Sequence, residues 1–112
     1  MEKLYKFFED LTKTGTEYGF NKFYYQSRSH VMIVLLIASK PTYSYEDICR
    51  KIPTSLCGRT TIKSILNQGV SQGYFLKGKD EYDKRKQIYK VNGEIELEMK
   101  NWLKRMKNIF CS

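Results

Sequence analysis

"RTTIKSILNQGVSQGYFLKGKDEYDKRKQIYKVN", residues 59–92, holds the change of pattern that decides the fold. Its first half places Ile62, Ile65, Leu66 and Gly69 three and four residues apart. That spacing puts them on one face of an α-helix, predicted over about 59–72. The opposite face carries Thr60, Lys63, Ser64 and Asn67, with Arg59 and Thr61 beside them. After Gly73 the period shortens. "YFLKG" and "KQIYKVN" have the aromatic and β-branched character of strands. Lys79, Asp80, Glu81 and then Asp83-Lys84-Arg85-Lys86 make a turn between them, so the second half reads as a β-hairpin. Three consecutive cations at a hairpin tip have two readings: solubility, or contact with something anionic.

Upstream, "YSYEDICRKIP" opens with Ser44 and Asp47 in a capping-box-like pattern. Ile48, Cys49 and Ile52 face inward, and Pro53 stops this short helix. "TSLCG" is a loop before the helix that starts near Arg59. Further back, Ser27 is the expected N-cap of a helix from Arg28 to about Ser39, which Lys40-Pro41 ends. "EKLYKFFEDLT", residues 2–12, spaces Leu4, Phe7, Phe8 and Leu11 as an amphipathic helix. "KTGTEYG" interrupts, and "FNKFYYQ" reads as helix or loop. The Tyr/Phe cluster at 18–25 is expected in the core, and His30 in helix packing or at the surface. Downstream, "GEIELEMKNWLKRMKNIF" spaces Ile95, Met99, Trp102, Leu103, Met106, Ile109 and Phe110 as a helical stripe. Its glutamates come early and its cations late, which suits the helix dipole.

The chain of 112 residues fits one domain and carries a formal charge of +8. That charge is concentrated. Residues 1–49 sum to zero, whereas residues 50–90 hold ten Lys/Arg against three Asp/Glu, a net +7. A basic block inside a folded domain makes a local positive potential that attracts polyanions. Other classes fit less well. The longest apolar run, "VMIVLLIA", is too short to span a bilayer. The opening "MEKLYKFFEDL" lacks the layout of a signal peptide, and Cys49, Cys57 and Cys111 read as reduced thiols, so a cytoplasmic location is expected. Three cysteines without paired spacing and one histidine imply no metal site, no cofactor and no catalytic constellation. Cys57 reads as a loop or core residue rather than a redox switch.

Short helix, connection, amphipathic helix and basic hairpin form the layout of a winged helix-turn-helix: mainly α, with a small β-hairpin. One domain, 1–112, then divides into an N-terminal helix and aromatic segment (1–26), a winged helix core (28–92) and a C-terminal helix (93–112). In such folds the second helix of the pair enters the DNA major groove, with the wing alongside on phosphates or the minor groove. Thr60, Thr61, Ser64 and Asn67 suit base edges or phosphates, and Arg59 and Lys63 supply cations. On the wing, predicted over 77–90, Lys79, Lys84, Arg85 and Lys86 are the expected contacts.

With "YEDICRKI", "RTTIKSILNQGVSQGYF" and "KDEYDKRKQIYKVNGE" in this order, the chain resembles the MarR-type winged helix regulators over roughly residues 28–99. The family's Asp-x-Arg at the wing is matched by Asp83 and Arg85. The resemblance implies that Arg85 reaches DNA at the wing tip and that Asp83 helps to hold it. It further implies a homodimer built through the N- and C-terminal helices, regulating transcription from double-stranded DNA. The residues name no small-molecule effector. The alternative is an accessory winged helix that binds nucleic acid without sequence preference, or a protein partner. Short polar groups beside cations on residues 59–67 favour base readout over that alternative.

Overall fold

The computed structural model describes residues 1–14 and 19–111. The interruption "GTEY" at 15–18, with Tyr18 of the aromatic cluster, lies outside the described residues. Among the described residues six helices and three strands follow in the order α1 (Glu2–Thr14), α2 (Phe20–Tyr24), α3 (Arg28–Ala38), β1 (Tyr43–Ser44), α4 (Tyr45–Lys51), α5 (Arg59–Ser71), β2 (Phe75–Lys79), β3 (Gln87–Val91) and α6 (Gly93–Phe110). The segment that reads either way from sequence is the short helix α2, with Phe23 and Tyr24 buried.

The helix starts follow local chemistry. Ser27 Oγ accepts the His30 amide and Ser44 Oγ accepts the Asp47 amide at 3.1 Å, each satisfying an otherwise orphaned donor. Asn92 does the same for α6, accepting from the Ile95 amide at 2.8 Å. The exit of α5 needs glycine. Gly73 has φ 83°, and its N–H bonds to Val70 while the Tyr74 N–H bonds to Gly69. That is a Schellman closure, which turns the chain sharply into β2. Asn92 also bonds back to this exit. Its side-chain amide donates to the Gly73 carbonyl and its backbone N–H to Tyr74.

The sheet is antiparallel in the order β1-β3-β2. The hairpin register pairs Phe75 with Val91, Lys77 with Tyr89 and Lys79 with Gln87. A third strand joins it, with Tyr43 opposite Tyr89, where the sequence predicts only a hairpin. The predicted apolar face of α5 is the buried one: Ile62, Ile65, Leu66 and Gly69. Gly69 lets the ring of Phe75 lie directly on the helix, since an added Cβ would overlap that ring. Phe75 in turn meets Phe23 edge to face at 5.7 Å, which joins α2, α5 and β2 in one core.

His30 is buried in α3 and hydrogen-bonded at both ring nitrogens, to Ser27 Oγ at 2.7 Å and Gln68 Oε1 at 3.0 Å. It is therefore a polar tie between α3 and α5. At the other end of the fold α1 lies on α6. Arg105 Nε donates to Asp10 at 2.8 Å, and the rings of Phe7 and Phe110 are 5.5 Å apart. The apolar stripes of these two helices are only partly covered, with Leu4 and Phe8 each 55% exposed and Leu103 59%. Among the described residues no helix is long and apolar enough to cross a membrane.

Candidate nucleic-acid interface

Burying Ile62, Ile65, Leu66 and Gly69 turns the polar side of α5 outward. Arg59, Thr60, Lys63, Ser64 and Asn67 line one open depression there, together with Tyr45 at the start of α4. Ser44, Tyr45, Glu46, Arg85, Lys86 and Gln87 line a second cleft between α4 and the hairpin. Tyr45 belongs to both, so the two join into one surface running from Asn67 to Arg85. The structure thus brings seven of the predicted contact residues together. Thr61 is exposed on α5 beside the depression, and Lys84 is exposed at the hairpin tip, outside both recesses. Lys79 is exposed opposite Gln87.

The hairpin's pleat explains the last placement. Partners across strands share a face. Phe75 meets Gly69 of α5, and Gln87 meets Lys63 of α5, so this face of the hairpin is turned towards α5. Lys77 and Lys79 stand on it. Lys77, Gln87 and Tyr45 are absent from the residues singled out by sequence. Period-two counting from the buried Phe75 finds Lys77, whereas Tyr45 is hidden within a capping motif.

The two cations of α5 are already engaged. Arg59 places both terminal nitrogens on Glu46, at 3.2 and 3.4 Å. Glu46 raises the pKa of the guanidinium above its ordinary value. Lys63, half-buried, donates from Nζ to Gln87 Oε1 at 3.3 Å and lies 4.9 Å from the centre of the Tyr45 ring. Burial pushes the Tyr45 hydroxyl pKa up and Cys49 beside it adds to that, while the Arg59 guanidinium pulls the other way.

The hairpin tip is organised by two carboxylates. Asp80 Oδ1 accepts the Tyr82 amide at 3.3 Å. Asp83 Oδ1 accepts both the Arg85 amide at 3.0 Å and Arg85 Nε at 3.2 Å. Backbone bonds from Asp80 to Lys86 and from Lys86 to Asp83 close the loop. Arg85 itself is held at its base but its side chain remains 93% exposed.

The Arg85 backbone N–H, and after it the guanidinium, hold the Asp83 carboxyl below its usual range. A depressed carboxyl pKa stabilises the turn above the ordinary aspartate value of about 3.9, and that contribution is lost as pH falls through the lowered value. NMR titration of the Asp83 carboxyl is expected to give a midpoint under the ordinary value, with the Arg85 amide shifting in step. Arg85→Ala should bring the midpoint part of the way back, because the backbone donor stays. A wild-type midpoint at or above the ordinary value would remove Asp83 as the anchor of the tip.

Among the described residues no group of three or more His, Cys, Asp or Glu is placed to hold a metal ion. Cys49 and Cys57 are buried free thiols and Cys111 is exposed.

No protein-family model and no curated sequence matches the chain. Solved structures do match in fold. Reduced AbfR bound to DNA superposes with a TM-score of 0.60 at 12% identity, covering 93% of this chain and 67% of that one. NadR in complex with 4-hydroxyphenylacetate gives a TM-score of 0.61 at 18% identity, over 94% of this chain and 71% of that one. Disulfide-formed AbfR gives 0.62 at 12% identity, over 98% of this chain and 66% of its own length. At these identities the likeness is one of architecture alone. The chain has a winged helix-turn-helix fold, shared with AbfR and NadR.

Proposed function

We propose that this chain is a sequence-specific double-stranded DNA-binding protein that regulates transcription, a single winged helix domain acting in the cytoplasm as a homodimer. The observation that carries the reading is the continuous surface from Asn67 through Tyr45 to Arg85. It sets short hydrogen-bonding side chains on a helix beside a cationic hairpin, which is the division of labour that DNA needs. Base edges ask for positioned donors and acceptors in the major groove, and phosphates ask for cations around them. In this reading α5 lies in the major groove. Thr60, Thr61, Lys63, Ser64 and Asn67 face bases or their flanking phosphates, and Lys79, Lys84, Arg85 and Lys86 meet the backbone or minor groove. The exposed apolar side chains of α1 and α6 support a second copy as the partner of the terminal helices.

Selection of bound sequences from a random duplex pool tests this. A palindrome with half-sites about 34–36 Å apart, one helical turn, is expected of a two-fold dimer reading bases. Binding without a motif would move the chain to the non-specific accessory reading, and no binding would point to a protein partner. Asn67→Ala should then relax preference at one base position by about 1–3 kcal/mol. Equal loss on every sequence would demote Asn67 to a phosphate contact.

A further inference from the structure

Arg59 opens α5 at the end where the helix dipole disfavours a cation. Its fork is spent on Glu46, with Nη2–Oε2 at 3.2 Å and Nη1–Oε1 at 3.4 Å. This is the same two-pronged edge that an arginine offers to a guanine or a phosphate. Glu46 and DNA therefore compete for one set of donors.

The capping of α4 does not require Glu46. Ser44 caps that helix and Asp47 supplies negative charge to its first turn. The side chains of Arg59 and Glu46 are 56% and 55% exposed, and an ion pair so open to water adds little to stability. Glu46 also lines the cleft beside Arg85 and Lys86, so it sets a carboxylate within an otherwise cationic surface. A carboxylate there repels every phosphate that approaches, whatever the sequence behind it.

Resting on the DNA-binding reading above, we propose that Glu46 is a specificity-determining residue, which withholds the Arg59 fork from the phosphates of arbitrary DNA. Breaking the pair opposes any complex that uses the fork. In a matched site base edges on Thr60, Ser64 and Asn67 hold α5, the complex does not draw on the fork, and Arg59 stays on Glu46. On mismatched DNA phosphates are all there is to hold, so a fork kept on Glu46 weakens the non-specific complex and leaves the matched one nearly unchanged. Specificity is a difference of affinities, and this device raises it by lowering the unwanted one. The hold on Lys63 by Gln87 and Tyr45 acts in the same sense on the next turn of α5.

The test uses the full chain and four proteins: wild type, Glu46→Gln, Arg59→Gln and the double variant. Affinities are measured on the duplex recovered by selection and on a scrambled duplex of equal length, at several salt concentrations. Glu46→Gln is expected to tighten binding to the scrambled duplex several-fold and to steepen its salt dependence by about 0.9, one further phosphate. The ratio of selected to scrambled affinity should fall. In the Arg59→Gln background, adding Glu46→Gln should leave that ratio unchanged. Equal tightening on both duplexes, or the same change of ratio with and without Arg59, would reduce Glu46 to a distant field effect and overturn the proposal. A wild type that prefers no duplex would overturn the DNA reading and this inference together, whereas a preference that survives Glu46→Gln intact overturns only the inference.

Discussion

Phe75→Ala should cost about 3–5 kcal/mol of folding stability, the range for emptying an aromatic site in a packed core. Phe75 is 1% exposed, and its ring bears on Gly69 of α5 and on Phe23 of α2. The loss therefore falls where three elements meet. Against a total of about 5–15 kcal/mol for a domain of ordinary stability, this change alone removes a large share of the folding free energy. Gly69→Ala attacks the same contact from the other side. Its Cβ would overlap the ring, and overpacking of that kind costs about 1–3 kcal/mol. The two should not add. In the double variant the alanine methyl at 69 occupies part of the space that the ring has left, so the double loss should be smaller than the sum of the single ones. Urea denaturation of the three variants and the wild type decides this. Additive losses would mean that Phe75 is not seated on Gly69.

The largest expected effect on binding comes from the hairpin tip. Changing Lys84, Arg85 and Lys86 together to glutamine leaves the Arg85 amide on Asp83, so the turn retains its backbone anchor. If each cation neutralises one phosphate, the salt slope should flatten by about 2.7, at about 0.9 per contact. From about 50 to 200 mM salt the variant should then lose roughly 40-fold less affinity than the wild type does. Titrations of both proteins on one duplex read this directly. Parallel salt dependence would take the tip off the DNA and leave α5 as the whole interface.

How much of this is legible in the sequence depends on how local the cause is. The buried face of α5 shows in the spacing of Ile62, Ile65, Leu66 and Gly69, because helical period alone decides it. The caps at Ser27 and Ser44 show for the same reason, since each side chain reaches only its own first turn. Strand β1 does not show. Two residues carry no period, and Tyr43 finds its partner Tyr89 far along the chain. Nor does α2, whose neighbouring Phe23 and Tyr24 are both buried and leave no contrast between faces.

At the candidate interface the outward residues of α5 can be read from the pattern, but their present partners cannot. Arg59 meets Glu46 only because α4 and α5 cross where they do. Lys63 meets Gln87 only because the register of the hairpin carries Gln87 to the α5 side. A helical wheel draws both cations free, and the tertiary crossing places both under restraint.

The sheet order β1-β3-β2 leaves the outer edge of β2 unpaired among the described residues. A free row of backbone donors and acceptors invites a strand from another molecule, and the apolar Leu76, 46% exposed, adds to the invitation. Lys77 and Lys79 stand on that strand. Were two such edges to pair, four ammonium groups would meet, and their repulsion disfavours that pairing. The positive charge of this hairpin thus also opposes the extension of one copy's sheet by another.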